Sequence, residues 1–187
     1  MREYANYLLI DFEATCCDKK SIRPESMEII EFGAVIVCGL SLEIKSEFQS
    51  FVKPIRHPKL TDFCKVLTSI TQKDVDAAET FPEVFKKFKS WLYQYPDFIF
   101  GSWGDFDLKQ LQQDCQLHNV AYPISSPHVN VKKLFSTNQN LAKKQGLSEA
   151  VRLVKLEFIG THHRGIDDAR NIAKLMPYIL GRKMIDE

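Results

Sequence analysis

Long apolar runs are missing from this 187-residue chain, and none reaches the ~18 residues that a membrane-spanning helix needs. The opening residues Met1-Arg2-Glu3-Tyr4-Ala5 run straight toward a strand without the hydrophobic segment of a secretory signal. Both absences predict a soluble, cytoplasmic protein with no membrane partner. Cysteine is sparse: Cys16, Cys17, Cys38, Cys64 and Cys115 form no Cys-x-x-Cys pair, and an odd number without a signal argues for reduced thiols and against a disulfide framework. Charge of one sign is lacking too. A net charge of +1, from 25 basic against 24 acidic residues, says nothing by itself about nucleic acid. Repeats and low-complexity tracts are absent, and 44% apolar content over this length suits a single domain, residues 1–187, with a well-filled core.

What is present is a set of acids placed for chemistry. In Tyr7-Leu8-Leu9-Ile10-Asp11-Phe12-Glu13-Ala14 the strand period of two puts Asp11 and Glu13 on one face, continued by Tyr7 and Leu9. Two carboxylates converging beside an apolar core are costly to hold unpaired, and a bound cation resolves the conflict. Asp-x-Glu alone is a weak signal; its place at the end of a core strand is the informative part.

The remaining elements follow from periodicity. Met27 to Val37 is rich in β-branched residues, and Glu43 to Val52 alternates polar with apolar until Lys53-Pro54 stops it. The short connection Gly39-Leu40-Ser41-Leu42 makes these an antiparallel hairpin, so the N-terminal third is a meander. Thr71 and Asp74 are spaced to cap a short helix. Thr80 to Leu92 reads as a longer one, with Pro82 in its first turn and Val84, Phe85, Phe88, Trp91 and Leu92 on one stripe. Phe98 to Trp103 is a compact strand. A helix starts near Asp107, carrying Leu108, Leu111, Cys115 and Leu117, and a final helix runs from about Asp167 to Leu180. Tyr122 to Gly146 reads as irregular apart from a short strand around His128 to Val131. Strands first, then strands mixed with helices, indicate an α/β chain: a mixed sheet with helices on its faces.

Two further acids answer Asp11 and Glu13. Asp107 opens a helix at the rim of the sheet; Asp105 competes with it, and either could serve as a helix N-cap. Asp107 is preferred because Leu108 and Leu111 then turn inward. In His162-His163-Arg164-Gly165-Ile166-Asp167-Asp168, a loop histidine five residues before an acid in the first turn of a helix can face the same cluster as a general base. The pair His162 and Asp167 has the same separation. Four carboxylates favour Mg²⁺ or Mn²⁺ over zinc. Setting those four acids aside leaves +5, and the doublets Lys132-Lys133 and Lys143-Lys144 are either phosphate contacts or ordinary solvated faces.

With these segments in place, the chain resembles the DEDDh 3′-to-5′ exonucleases of the DnaQ-like, RNase H-like superfamily. Within it, the chain is similar to the branch containing the histone-mRNA 3′-end exonucleases and their relatives in RNA interference. The matching pieces are 11–16 (Asp-Phe-Glu-Ala-Thr-Cys), 28–32, 51–54, 67–72, 104–107 and 163–173. The resemblance implies an RNase H-like sheet, a three-strand antiparallel meander plus further parallel strands, with helices on both faces. It also implies two Mg²⁺ (or Mn²⁺) held by Asp11, Glu13, Asp107 and Asp168, and a water activated by His163. The register with His163 is the one in which Gly165 and Ala169 also match. Phe106 stands where the branch often has tryptophan and offers a face for base stacking. Phe12, Ala14 and Thr68 are implied substrate contacts, although the turn around Thr68 would equally suit helix capping. The partners implied are single-stranded RNA or DNA 3′ ends. The chain starts at the catalytic fold, so an appended nucleic-acid-binding module is expected to play no part in substrate choice. The expected activity is stepwise release of nucleoside 5′-monophosphates from the 3′ end. Its alternatives are a module on the same scaffold that binds a 3′ end or a partner protein without cutting, and an RNase H-like enzyme that cuts internally.

Overall fold

A computed structural model describes residues 4–19 and 21–185. Residues 1–3, 20 and 186–187 lie outside the described residues, and with them the first three positions of the expected run into the strand and both ends of the expected 1–187 domain. The first strand, β1 (Asn6–Ala14), pairs antiparallel with β2 (Ile29–Cys38), which pairs antiparallel with β3 (Ile44–Phe51). On its other side β1 pairs parallel with β4 (Phe98–Ser102), which pairs parallel with β5 (His128–Asn130). Among the described residues the sheet order is β3-β2-β1-β4-β5. The expected meander with added parallel strands is what forms.

Alternation along β1 divides the core. Leu8, Ile10 and Phe12 face one side and pack against α3 (Phe81–Leu92) and α4 (Phe106–Leu117), through Phe81, Phe85 and Phe88 of the first and Leu111 and Cys115 of the second. Tyr7 and Leu9 face the other side, against α5 (Val131–Asn138), α6 (Leu147–Leu153) and α7 (Gly165–Ile179). Helices thus cover both faces. A smaller cluster of Ile30, Leu60, Cys64, Ile70 and Val75 seats α1 (Asp62–Thr68) and α2 (Gln72–Asp76) beside the end of β1.

Local chemistry explains the helix starts. Thr71 and Asp74 form the expected capping box of α2, and Thr80 with Glu83 forms another on α3, with Pro82 in its first turn. Three helices depart from the sequence reading. The segment holding α1 carried no expected element, and α6 was not anticipated. The stretch read as irregular contains α5, started by Asn130, whose side chain accepts the Lys133 N–H. On α4, Asp107, Gln110, Leu111, Asp114 and Cys115 are buried, so Leu111 turns inward as expected, whereas Leu108 is only half-buried.

Two glycines decide how closely α7 approaches the sheet. A Cβ on Gly33 of β2 would lie 2.0 Å from the Gly165 carbonyl carbon, and one on Gly165 would lie 2.6 Å from the Asp11 carbonyl oxygen. Only bare backbone at both positions lets the start of α7 press onto the end of β1.

Candidate active site

The register of the sheet exposes the last part of β1. Its pairing with β4 ends at Leu9 opposite Gly101, so Asp11, Phe12 and Glu13 run on past the neighbouring strand. The start of α4 fills that vacant edge. Asp107 Oδ1 accepts the Phe12 N–H at 2.8 Å, replacing the missing ladder bond and fixing its carboxyl beside β1. Asp105 goes elsewhere. It occupies the N-cap position of α4 without a side-chain capping bond, stays exposed, and lies 3.9 Å from His128 Nδ1. Asp107 is therefore the acid that the fold brings to the centre, and neither acid caps α4 through its side chain.

From the other side comes α7. Asp168 Oδ2 accepts the His163 N–H at 2.8 Å, holding His163 at φ 65°, a left-handed backbone region uncommon for a non-glycine residue. Asn171 fixes the same loop, accepting the Ile159 N–H and donating to the Ile159 carbonyl. Asp167 is occupied by the Thr161 N–H and Arg170, so of the two neighbouring acids it is Asp168 that reaches the cluster, with the His163 backbone bonded to it. His162 nevertheless lies close: its ring centroid is 4.0 Å from that of His163, and donor atoms of His162, His163 and Asp168 fall within 4.8 Å of one another.

Carboxylate oxygens of Asp11, Glu13 and Asp168 likewise come within 4.8 Å of one another. Asp107 is close enough to raise the Asp11 carboxyl electrostatically. Burial first, then the neighbouring negative charges, holds Asp11 well above the usual carboxylate range and pushes Glu13 up to about 9. Burial lifts Asp168 to about 7, against the pull of the His163 N–H. It lifts Asp107 to about 6, where the N–H bonds and the Ser102 hydroxyl hold the rise down. Asp168 Oδ1 is buried and has no hydrogen-bond partner. An orphaned carboxylate oxygen among buried like charges fits a hard divalent cation, whose ligands are oxygens.

Glu31, which sequence reasoning did not single out, holds the frame. It lies opposite Glu13 in the β1–β2 register, is fully buried, and makes a bidentate pair with Arg164 (3.0 and 3.1 Å) while accepting the Gly165 N–H. It thereby ties the start of α7 to β2. A glutamate inside an otherwise apolar strand was the available signal. Glu28 acts similarly, accepting the backbone N–H groups of Ile55, Arg56 and His57.

The four expected substrate contacts differ in what they present. Phe106 is 46% exposed and offers an open ring. Phe12 is buried, edge-on to Phe32 at 4.8 Å, with its N–H taken by Asp107, and Ala14 is buried. Thr68 is buried and its hydroxyl is spent inside its own turn, on the Cys64 carbonyl and the Ile70 N–H, as the capping reading would have it.

Comparison with known proteins places this geometry. A family model described as an exonuclease, RNase_T, matches residues 8–176. ERI1 exoribonuclease 3 of Homo sapiens is 37% identical over 194 residues, covering 98% of this chain and 56% of that protein. The 3′-5′ exoribonuclease 1 of Homo sapiens is 36% identical over 184 residues, covering 92% and 52%. The chain therefore spans about half the length of these curated relatives. Among solved structures, the nuclease domain of 3′hExo, a DEDDh family member bound to rAMP, superimposes with a TM-score of 0.87 at 33% identity, over 96% of this chain and 93% of that one.

Proposed function

The chain belongs to the exonuclease family whose model spans residues 8–176, and from that premise we propose that it removes nucleoside 5′-monophosphates from the 3′ end of single-stranded RNA, and also of DNA. One catalytic domain over residues 1–187 carries this activity. The observation that carries the proposal is the convergence of buried Glu13, Asp107 and Asp168 on Asp11, with one Asp168 oxygen left unpartnered. A set of acids raised by burial and, at Asp11, Glu13 and Asp168, by one another's charge is a standing cost to the fold that a mere binding surface has no need to bear.

In this reading Asp11, Glu13, Asp107 and Asp168 hold two Mg²⁺ (or Mn²⁺). Bound there, the ions would supply Lewis-acid activation of water and neutralise charge on the leaving 3′ oxygen. The protein supplies the rest. His163 is half-buried, and burial lowers its pKa below the usual 6.5, so its ring is neutral at pH 7 and free to take the proton of the attacking water. Its left-handed backbone and the Asp168 contact hold it in place. Phe106 stacks on a terminal base. The wall that includes residues 67–71 borders the terminal nucleotide through its backbone, since the Thr68 hydroxyl is engaged.

End-labelled RNA, with a free or a phosphate-blocked 3′ end, tests the proposal. Stepwise shortening of the free end alone is expected. Cleavage of both means internal cutting, and binding without shortening means a non-catalytic module; either result overturns it. His163→Ala is expected to lower kcat by about 10²- to 10⁴-fold. The sign of the pH effect follows from the lowered pKa. Wild-type activity should climb through the acidic range below 6.5 and level off by pH 7, and the variant should lack that step. A profile identical in the two proteins would remove His163 as the base.

Stability carries a second signature. In metal-free protein, raised carboxyl pKa values mean that the folded chain keeps protons the unfolded chain has released. Stability is then highest near the unfolded carboxylate range, ~4, and falls as pH rises through about 6 to about 9. Mg²⁺ at ~100-fold its Kd should return about 2.7 kcal/mol, or about 5–10 °C in Tm for a domain of this size. Thermal melts in chelator and in Mg²⁺ from pH 5 to 8 measure both effects. No dependence on Mg²⁺ at any pH would reject the metal assignment.

A further inference from the structure

The carboxyl ends of the parallel strands support a second feature beside the carboxylate cluster. An open groove of about 570 Å³ is lined by Asn130, Lys133, Thr137 and Lys144, with Asp105 and His128 among its other walls. Strands β1, β4 and β5 are neighbours, at ~5 Å each, so this groove lies about two strand spacings, ~10 Å, from the strand that ends in Asp11 and Glu13. The two features share a wall: Ser102, the last residue of β4, bonds His128 Nε2 at 2.8 Å and its hydroxyl also steadies the Asp107 carboxylate.

The charges in the groove are set for an anion. Lys133 and Lys144 are exposed, and among the described residues neither ammonium has an acidic partner. Asp105 is turned toward His128 Nδ1 at 3.9 Å. The hydroxyl-bearing Thr137 is exposed on α5 one turn from Lys133. A centre of four carboxylates offset by two divalent ions carries no surplus positive charge for the rest of a polyanion, so a nucleic-acid strand needs cations displaced from the point of cleavage. The groove supplies them at a distance that the strand's own backbone spans.

We propose that this groove holds the phosphodiester backbone of the substrate strand on the 5′ side of its terminal nucleotide, with Lys133 and Lys144 each meeting a phosphate. The inference rests on the reading of the acidic cluster as a 3′-exonuclease centre. The test is the double variant Lys133→Ala/Lys144→Ala, assayed on a single-stranded RNA dinucleotide and a 12-mer across a salt series. Two lost single-strand phosphate contacts should raise KM for the 12-mer about tenfold at ~0.15 M salt and flatten its salt slope by about 1.4. The change should be confined to KM, and the dinucleotide, too short to reach the groove, should be cut as by wild type. An unchanged 12-mer slope, or an equal loss on both substrates, overturns the groove assignment. Fluorescence anisotropy of the labelled 12-mer in chelator separates the two readings. Wild type that binds the strand more tightly than the variant but never cuts it refutes the exonuclease reading and keeps the groove; wild type that cuts while both proteins bind equally refutes the groove alone.

Discussion

Replacing Asp11 with asparagine is expected to reduce RNA hydrolysis more than ~10³-fold, since metal assistance supplies several kcal/mol of transition-state stabilisation. The metal-free variant should nevertheless melt at or above the wild-type temperature. Asp11 is held above the usual carboxylate range first by burial, then by Asp107, Asp168, Glu13 and Glu31. An amide of the same shape suffers none of that repulsion. Activity and stability are opposed at this position, as they are wherever a site stores like charges for a ligand to relieve. Digestion of end-labelled RNA together with melts in chelator tests both halves. Full activity would reject the metal assignment, and a lowered Tm would show that the acid cluster is a structural asset rather than a cost.

The second large effect is on the fold. Gly33→Ala should cost about 3 kcal/mol or more, the upper range for overpacking, and so lower Tm by about 6–12 °C. The added methyl would meet backbone atoms, the Gly165 carbonyl carbon at 2.0 Å and the Ile166 nitrogen at 2.3 Å, and these yield only if the start of α7 moves. That start carries Asp168 and anchors His163. The variant that remains folded should therefore also lose activity. Gly101→Ala is the graded control, because its methyl would meet side-chain tips of Val131 and Leu9 at 2.9 and 3.1 Å. Equal melting temperatures for the two variants would refute the close-approach argument.

Where the sequence carried strong periodicity, the reading and the structure agree. The alternation in β1 that sent Tyr7 and Leu9 one way and Leu8 and Ile10 the other is a local property of the strand. The choice of Asp107 over Asp105 also came from local geometry, the first turn of α4. What escaped notice lacked a local signal. Helix α1 has seven residues, buries only Cys64 and Thr68, and leaves Phe63 and Val66 in solvent, so it shows no apolar stripe. Helix α5 begins at the residue after β5, which blurs the change of period. Glu31 was visible as a charge among apolar neighbours, yet its partner Arg164 is 133 positions away. Two of the implied contacts turn their side chains elsewhere: Phe12 packs into the core, which no one-dimensional pattern discloses, and Thr68 bonds within its own turn, the alternative its neighbours already allowed.

The outermost strand has a consequence for behaviour in solution. β3 closes one side of the sheet, and Lys45, Glu47 and Gln49 recur along it, with Lys45 reaching Asn6 and Glu47 engaged by Arg170. Charged and amide side chains repeated along an outermost strand make that border a poor template for another chain's ladder, which works against fibril-like stacking.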